Sequence, residues 1–219
     1  MKKILIIGDS SSLPREDTIF NSTYYSILKK KHNIENSAVT NNVSYKIYND
    51  LEPFTLYGYN PDIVVLNYGI VDVYPRPYSN FIYRLLSCSG LLPYVDKFLK
   101  KTNLYYSLGN LFNFKEVKLE NFKIYSDGIV KKLLKKDVEK IIIIGIIKPY
   151  RVLLKSKIID SEIKKYNDVF KELSLKYEQV DYIDIYHDSD ENFTIWDGYH
   201  YSEKASAYIV EKIKEIIYA

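Results

Sequence analysis

The chain has 219 residues, of which 47% are hydrophobic and 27% are charged, and its formal net charge is +3 at pH 7. This length suits one well-buried core and would make a second domain cramped, so we expect a single domain over residues 1–219. The small net charge indicates neither a nucleic-acid partner nor an anionic membrane. The one cysteine, Cys88, excludes an internal disulfide and is predicted to be a small buried residue.

Two apolar stretches have to be distinguished from export or membrane segments. The first, at 4–7, is about four residues long, shorter than the roughly 7 to 15 residues of a signal-peptide core. The second, at 141–147, falls far below the roughly 18 residues of a membrane span and is rich in isoleucine. We interpret both as strands, the second buried on both faces. We therefore expect a cytoplasmic protein without a transmembrane segment.

Strand-like and helix-like segments alternate along the chain. The predicted strands lie at 3–7, about 37–39, 63–66, 141–146 and 182–185. The predicted helices, with apolar residues three and four apart, lie at 20–31, 119–136, 160–176 and 202–217. This alternation predicts an α/β fold whose parallel sheet is covered on both faces. Ligands of such folds bind outside the carboxyl ends of the strands.

The segment 74–115 interrupts this alternation. It is rich in Tyr, Phe and Leu and is punctuated by proline and glycine, which predicts an inserted helical cap. Connections of this length are usually functional or structured in their own right. Two interpretations stay open: the aromatic side chains complete the core, or they line an acyl or sugar pocket or a subunit contact.

The two ends of the chain carry the residues of a hydrolase. The first predicted strand stops at Gly8-Asp9-Ser10, which would expose a serine at the carboxyl edge of the sheet beside amides able to hold an oxyanion. Asp197 lies three residues before His200, so the imidazole can act as general base and the carboxylate can fix its tautomer. The alternative for Ser10 is a helix cap.

Gly8-Asp9-Ser10 and Asp197-x-x-His200 resemble the first and last blocks of the SGNH/GDSL hydrolase family, and the resemblance spans nearly the whole chain. It implies a flavodoxin-like three-layer α/β/α domain, here with a five-stranded parallel sheet and the inserted helical cap. It also implies an ester hydrolase or acyltransferase with Ser10 as nucleophile, His200 as base and Asp197 as orienting acid. Such a mechanism needs no metal and no cofactor.

The third block of the family, Gly-x-Asn-Asp, corresponds to Gly69-Ile70-Val71-Asp72. In the family the asparagine is an oxyanion donor; valine cannot donate, and losing one such donor costs on the order of 10² to 10³ in rate. Three replacements are open: Asn67, Arg76 and an asparagine after the second strand. Prolines on both sides of Arg76 would restrict its backbone and aim a guanidinium that binds carboxylate or phosphate; the alternative is a surface salt bridge.

Three further predictions concern the loops of this site. The backbone-donor glycine of the second block has no clear counterpart near 39–44, where Asn41 or Asn42 tolerates left-handed backbone; Asn42 is slightly favoured, and ordinary turn residues are the alternative. Gly69 is a further candidate at the oxyanion and substrate site. Asp9 and Asp72 are predicted to support the loops through hydrogen bonds, without transferring protons.

Two polar segments are assigned no catalytic role. The segment 187–192 resembles a cation site but lacks the glycine and terminal glutamate of a calcium loop, so we interpret it as an acidic connection and expect no metal. His32 follows three lysines at a predicted helix end and is expected at the surface.

The sequence therefore predicts an enzyme that removes or transfers a small acyl group, with acetyl favoured, on a carbohydrate. The Gly-Ile-Val-Asp and Pro-Arg-Pro run also resembles a family subgroup associated with bacterial surface-polysaccharide loci. The expected partner is a small-molecule or glycan ester, and the cap leaves room for an oligomer contact. The alternatives are a lipase-like or thioesterase-like enzyme for longer acyl esters, and a catalytically weak binding protein in glycan assembly.

Overall fold

The computed structural model describes residues 2–15, 18–51 and 59–218. Within them, five parallel strands form one sheet in the order β2-β1-β3-β4-β5. The strands are β1 (Lys3–Gly8), β2 (Asn33–Asn36), β3 (Ile63–Asn67), β4 (Lys140–Ile144) and β5 (Val180–Ile183). This order is that of the flavodoxin-like fold, which confirms the predicted fold class.

Helices cover both faces of the sheet. They are α1 (Tyr24–Lys29), α2 (Ser44–Asp50), α3 (Ile70–Val73), α4 (Asn80–Cys88), α5 (Leu92–Lys101), α6 (Leu104–Phe112), α7 (Leu119–Leu134), α8 (Tyr150–Leu153), α9 (Ile159–Lys176), α10 (Ile185–Asp188) and α11 (Glu203–Tyr218). Helices α2, α7 and α9 pack together, and α1 packs against α11.

The sheet separates two hydrophobic clusters because successive strand residues point to opposite faces. In β1, Leu5 and Ile7 belong to one cluster, whereas Ile4 and Ile6 belong to the other. The central strands are buried almost throughout, as expected for a parallel sheet with helices on both sides. This arrangement forms the three layers.

The predicted second strand is misplaced, because β2 lies at Asn33–Asn36 and not at about 37–39. Only Ile34 is buried in this edge strand, so its apolar pattern is weak. The predicted helix 20–31 is also shorter: a single turn at Phe20–Ser22 precedes Thr23, whose hydroxyl caps α1. The short helix α2 had no predicted counterpart.

The segment 74–115 forms α4, α5 and α6, and the amide of Arg76 donates to the carbonyl of Phe114 at 2.7 Å, which closes its ends. Neither α4 nor α5 contains a buried residue. Large side chains such as Phe81 and Tyr94 are exposed. Most of this aromatic surface therefore does not complete the core.

Two predictions about single residues are wrong. Cys88 is exposed because it ends α4, which buries nothing. His32 is buried, and its Nε2 lies 3.2 Å from the hydroxyl of Tyr218 at the end of α11. In the described ranges no helix is both long enough and apolar enough to cross a membrane.

Candidate active site

Ser10 lies where β1 ends at the carboxyl edge of the sheet. A Cβ on Gly8 would lie 2.3 Å from the carbonyl oxygen of Asn67, so the close approach of β1 and β3 requires glycine. Asp9 then caps the turn Ser10–Ser12 by accepting the amide of Ser11 at 2.8 Å. Ser10 is 7% exposed, and its own amide has no acceptor among the described residues.

His200 reaches Ser10 from the loop before α11. Its Nε2 lies 2.9 Å from the Oγ of Ser10, and its Nδ1 lies 2.5 Å from Oδ2 of Asp197. The other oxygen of Asp197 accepts the amides of Tyr199 and His200 at 3.0 and 3.1 Å. Burial alone would raise the pKa of Asp197, but these hydrogen bonds outweigh it and lower the pKa. A charged Asp197 therefore orients the imidazole.

These three residues form a hydrogen-bonded line although they lie up to 190 positions apart. With its proton on Nδ1, held by Asp197, the imidazole of His200 has its Nε2 lone pair directed at the hydroxyl of Ser10. That is the arrangement needed to activate a serine for attack on a carbonyl carbon.

Arg15 also contacts the imidazole, which the sequence did not predict. Its Nη2 lies 3.0 Å from Nε2 of His200. Its Nε is buried without a hydrogen-bond partner, and the guanidinium forms no ion pair with a carboxylate in the described ranges. Arg15 and Thr18 pair through their backbones, and the hydroxyl of Thr18 donates to the carbonyl of Tyr201 at 3.1 Å.

Asp9 and Asp72 are buried carboxyl groups beside the site. Burial raises the pKa of Asp9 to about 6 and that of Asp72 to about 7, against opposing hydrogen bonds from Ser11 and Ser44. Oδ1 of Asp72 accepts the amide and hydroxyl of Ser44 at 3.0 and 2.6 Å. Asp72 thereby ties α3 to the start of α2, and neither carboxylate lies in the line of the triad.

Asn67, a candidate for the missing oxyanion donor, uses its side chain in a buried network. Its Nδ2 donates to the Oγ of Ser12 at 2.8 Å, and its Oδ1 accepts the hydroxyl of Tyr201 at 3.0 Å. Tyr24 completes the network by donating to Ser12. The side-chain amide of Asn67 is therefore already engaged by Ser12 and Tyr201.

Arg76 and Gly69 lie on the β3 side of the site. Arg76 forms an ion pair with Glu116 and stacks over Tyr83, with its guanidinium 4.8 Å from the ring centroid. It is not in contact with the triad. Gly69 precedes α3 with φ +118°, and a Cβ there would lie 2.8 Å from a side-chain carbon of Ile146.

The two candidate asparagines in the loop after β2 differ in their backbone conformation and hydrogen bonds. The amide of Asn42 donates to the carbonyl of Val39, and its side chain donates to the carbonyl of Gly8, both at 3.2 Å. Asn41 takes the left-handed conformation with φ +57°, and its amide has no acceptor in the part of the chain that the structure describes. Of the two candidate asparagines, Asn41 and not the favoured Asn42 therefore has an amide without an acceptor among the described residues.

A cleft of about 530 Å³ opens at the same edge of the sheet, because its lining includes residues that follow β2 and β3. Tyrosines and charged side chains dominate the wall: Tyr45, Tyr78, Tyr83, Tyr105, Lys46, Arg76, Arg84, Lys100, Asp96 and Glu116. Four cationic and two acidic residues thus face it.

Solved structures share this fold although their sequences are distant. The lipase/acylhydrolase from Enterococcus faecalis has a TM-score of 0.64 at 16% identity, covering 98% of this chain and 96% of that chain. A lipolytic protein of the G-D-S-L family from Desulfitobacterium hafniense has a TM-score of 0.64 at 13% sequence identity, and the match covers 99% of each chain. A catalytic mutant of an acetylxylan esterase from Geobacillus stearothermophilus has a TM-score of 0.58 at 14% sequence identity. This match covers 97% of this chain and 92% of that chain. No family model and no curated protein matches the sequence.

The similarity covers nearly the full length of both chains in each comparison. The chain therefore has the three-layer fold of the GDSL hydrolases, which confirms the resemblance predicted from its first and last blocks. What this fold does here has to be argued from the site itself.

Proposed function

We propose that the chain is a serine ester hydrolase or O-acyltransferase of the SGNH type. Ser10 is the nucleophile, His200 the general base and Asp197 the residue that orients His200. The observation that carries the proposal is the line of contacts at 2.9 and 2.5 Å between these three side chains at the carboxyl edge of β1.

In this mechanism His200 takes the proton of Ser10 as Oγ attacks the ester carbonyl, and the resulting oxyanion needs preorganised donors. The amides of Ser10 and Asn41, for which the described residues offer no acceptor, supply them in place of the donor side chain that Val71 lacks. His200 then donates its proton to the leaving alcohol. Water or a sugar hydroxyl releases the acyl group from Ser10.

The substrate that we propose is a carbohydrate ester of a small acyl group such as acetyl. The tyrosine-rich wall of the cleft supports this, since aromatic rings offer flat apolar faces with polar edges. One neighbour in fold is an acetylxylan esterase. The same wall has few aliphatic side chains, which disfavours long acyl chains. Rates on p-nitrophenyl acetate, butyrate and octanoate separate the two classes, because a small site loses activity beyond about butyryl.

Covalent labelling tests the nucleophile directly. Wild type, Ser10→Ala, His200→Ala and the control Ser11→Ala are treated with a fluorophosphonate probe and read by intact-mass spectrometry. The Ser11 side chain interacts with Asp9, whereas His200 contacts the Oγ of Ser10, so this control should label like wild type. We expect one adduct that is lost in Ser10→Ala and strongly slowed in His200→Ala.

The absence of any adduct on folded wild type would contradict the proposed enzymatic function. It would favour the alternative of a catalytically weak glycan-binding protein, in which Val71 leaves the oxyanion without a side-chain donor. Hydrolysis of p-nitrophenyl acetate gives a second readout. Activity that persists undiminished in Ser10→Ala would exclude this mechanism.

A further inference from the structure

Arg15 places a cation beside His200, the proposed general base. Its Nη2 lies 3.0 Å from Nε2 of His200, the same atom that lies 2.9 Å from the Oγ of Ser10. No described carboxylate forms an ion pair with it, and its Nε is buried without an acceptor. A buried donor without an acceptor loses free energy relative to its hydrated state, so this guanidinium has unused capacity for a ligand.

The proposed reaction adds a second positive charge beside Arg15. Nε2 has one lone pair, which the hydroxyl of Ser10 and the N–H of Arg15 both approach. Once His200 has taken the proton of Ser10, Nε2 is a donor with a positive ring, and Arg15 faces a like charge. A negative group between or beside the two cations would offset their repulsion.

The position of Arg15 defines the part of the substrate that it meets. Nε2 of His200 delivers its proton to the oxygen of the leaving alcohol, so that oxygen lies within about 3 Å of Nε2. Because Arg15 contacts the same atom, it lies on the alcohol side of the ester. Resting on the proposed function, we infer that Arg15 binds an anionic group, a carboxylate or phosphate, on the alcohol part of the substrate.

The charge of the neighbouring cleft agrees with an acidic alcohol part. Arg76 and Glu116 neutralise one another. The other cationic side chains of the wall, Lys46, Arg84 and Lys100, have no ion pair with a described carboxylate. A net positive wall at this edge attracts a negatively charged substrate before it is bound.

Two small esters that differ only in charge test the inference. 2-Acetoxyacetate carries a carboxylate one carbon from the ester oxygen, and 2-acetoxyacetamide is its neutral isostere. Acetate release is measured for wild type, Arg15→Gln, Arg15→Lys and Lys171→Gln, an exposed residue of α9 that controls for the lost charge. Thermal unfolding of each variant is measured alongside.

We expect kcat/KM of wild type to favour the carboxylate roughly tenfold to hundredfold, as for a hydrogen bond to a charged group. Arg15→Gln removes this preference, so kcat/KM falls further on the carboxylate ester than on the neutral ester by the same roughly tenfold to hundredfold factor. Arg15→Lys retains part of it, because the charge persists without the bidentate fork. Lys171→Gln behaves like wild type.

Equal losses on both esters in Arg15→Gln would assign Arg15 to the base or the oxyanion and overturn the inference. Ser10-dependent hydrolysis of both esters at equal rates by wild type would also overturn it, while leaving the proposed function intact. Hydrolysis of both esters that does not depend on Ser10 would contradict the proposed function, and the inference with it.

Discussion

The two oxygens of the Asp197 carboxylate accept hydrogen bonds from different groups. Oδ2 accepts from the imidazole of His200, and Oδ1 accepts two backbone amides of the same turn. Asp197→Asn can keep the bonds to Oδ1, but its amide group would then face the protonated Nδ1 and favour the wrong tautomer. We expect kcat on p-nitrophenyl acetate to fall by roughly 10³ to 10⁴ without unfolding, as for the equivalent change in a serine protease.

The matched control is Asp127→Asn on α7, whose carboxylate pairs with Lys131 and Lys176. It removes the same charge from a carboxylate whose partners are Lys131, Lys176 and Tyr177 and not the triad, so kcat should stay within about twofold, in line with the small contribution of such ion pairs. An Asp197→Asn variant with unchanged kcat would mean that His200 is oriented by other contacts.

Asp72 makes stability depend on pH. Burial raises the pKa of Asp72 to about 7, so the folded chain favours the neutral carboxyl. The contribution of this neutral carboxyl to the free energy of unfolding is complete below about pH 4 and is lost as the pH rises through 7. Relative to Asp72→Asn, which does not titrate, wild type should lose on the order of 3 to 4 kcal/mol of unfolding free energy between pH 4 and pH 8. Urea unfolding across this range measures it.

Asp137→Asn, at an exposed position, is the control. Its unfolding free energy, plotted against pH, should run parallel to that of wild type. Parallel curves for Asp72→Asn as well would show that the buried carboxyl has the same proton affinity in the folded and unfolded chain.

The proposed triad can be predicted from the sequence because its three residues occur in two short blocks with fixed spacing. Arg15 belongs to no such block: its backbone pairs with that of Thr18, and the hydroxyl of Thr18 donates to the carbonyl of Tyr201, next to His200. Asn67 shows the opposite case. Its type and position suit an oxyanion donor, but buried tyrosine and serine hydroxyls engage its side chain.

Among the elements, the end of β1 is the most tightly constrained point. In Gly8→Ala the new Cβ would lie 2.3 Å from the backbone oxygen of Asn67, so β1 and β3 would have to separate just before Ser10. We expect a loss of on the order of 3 kcal/mol in unfolding free energy and slower fluorophosphonate labelling. Urea unfolding and the labelling rate measure both effects.

Gly90→Ala is a contrasting control between α4 and α5. Its φ of +70° is strained for alanine, but nothing lies within 4 Å of the new Cβ. The expected loss is about 1 kcal/mol with no effect on labelling. If both variants behaved alike, the contact between Gly8 and Asn67 would not be what limits the site.

The elements that the sequence predicted best are those with strong burial patterns. Strands β1, β3 and β4 are almost continuously buried, and the long helices α7, α9 and α11 each have one apolar face. Strand β2 has a single buried residue, and α2 has two, Ser44 and Ile47. Such short elements are fixed by pairing and packing with distant segments, which local periodicity does not encode.

At the scale of the molecule, strand order creates the site. Because β1 and β3 are neighbours in the centre of the sheet, the loops after them meet at one edge, and the chain returns to this edge before α11 with Asp197 and His200. The core that supports this edge involves β1, β3, β4 and the helices on both faces. The helices α4 and α5 contribute nothing to it.

This uneven packing predicts uneven local stability. Helices α4 and α5 bury no residue, whereas α7 buries Phe122, Ser126, Ile129, Val130 and Leu133. Amides of 80–101 should therefore exchange with solvent through local opening, at least about 100-fold faster than those of α7, which should require global unfolding. Hydrogen exchange followed by mass spectrometry at peptide resolution measures this in dilute protein, with α9 as an internal reference. Equal protection of 80–101 and α7 would show that the exposed apolar face is covered in solution, and sedimentation velocity at the same concentration would then reveal whether a second copy covers it.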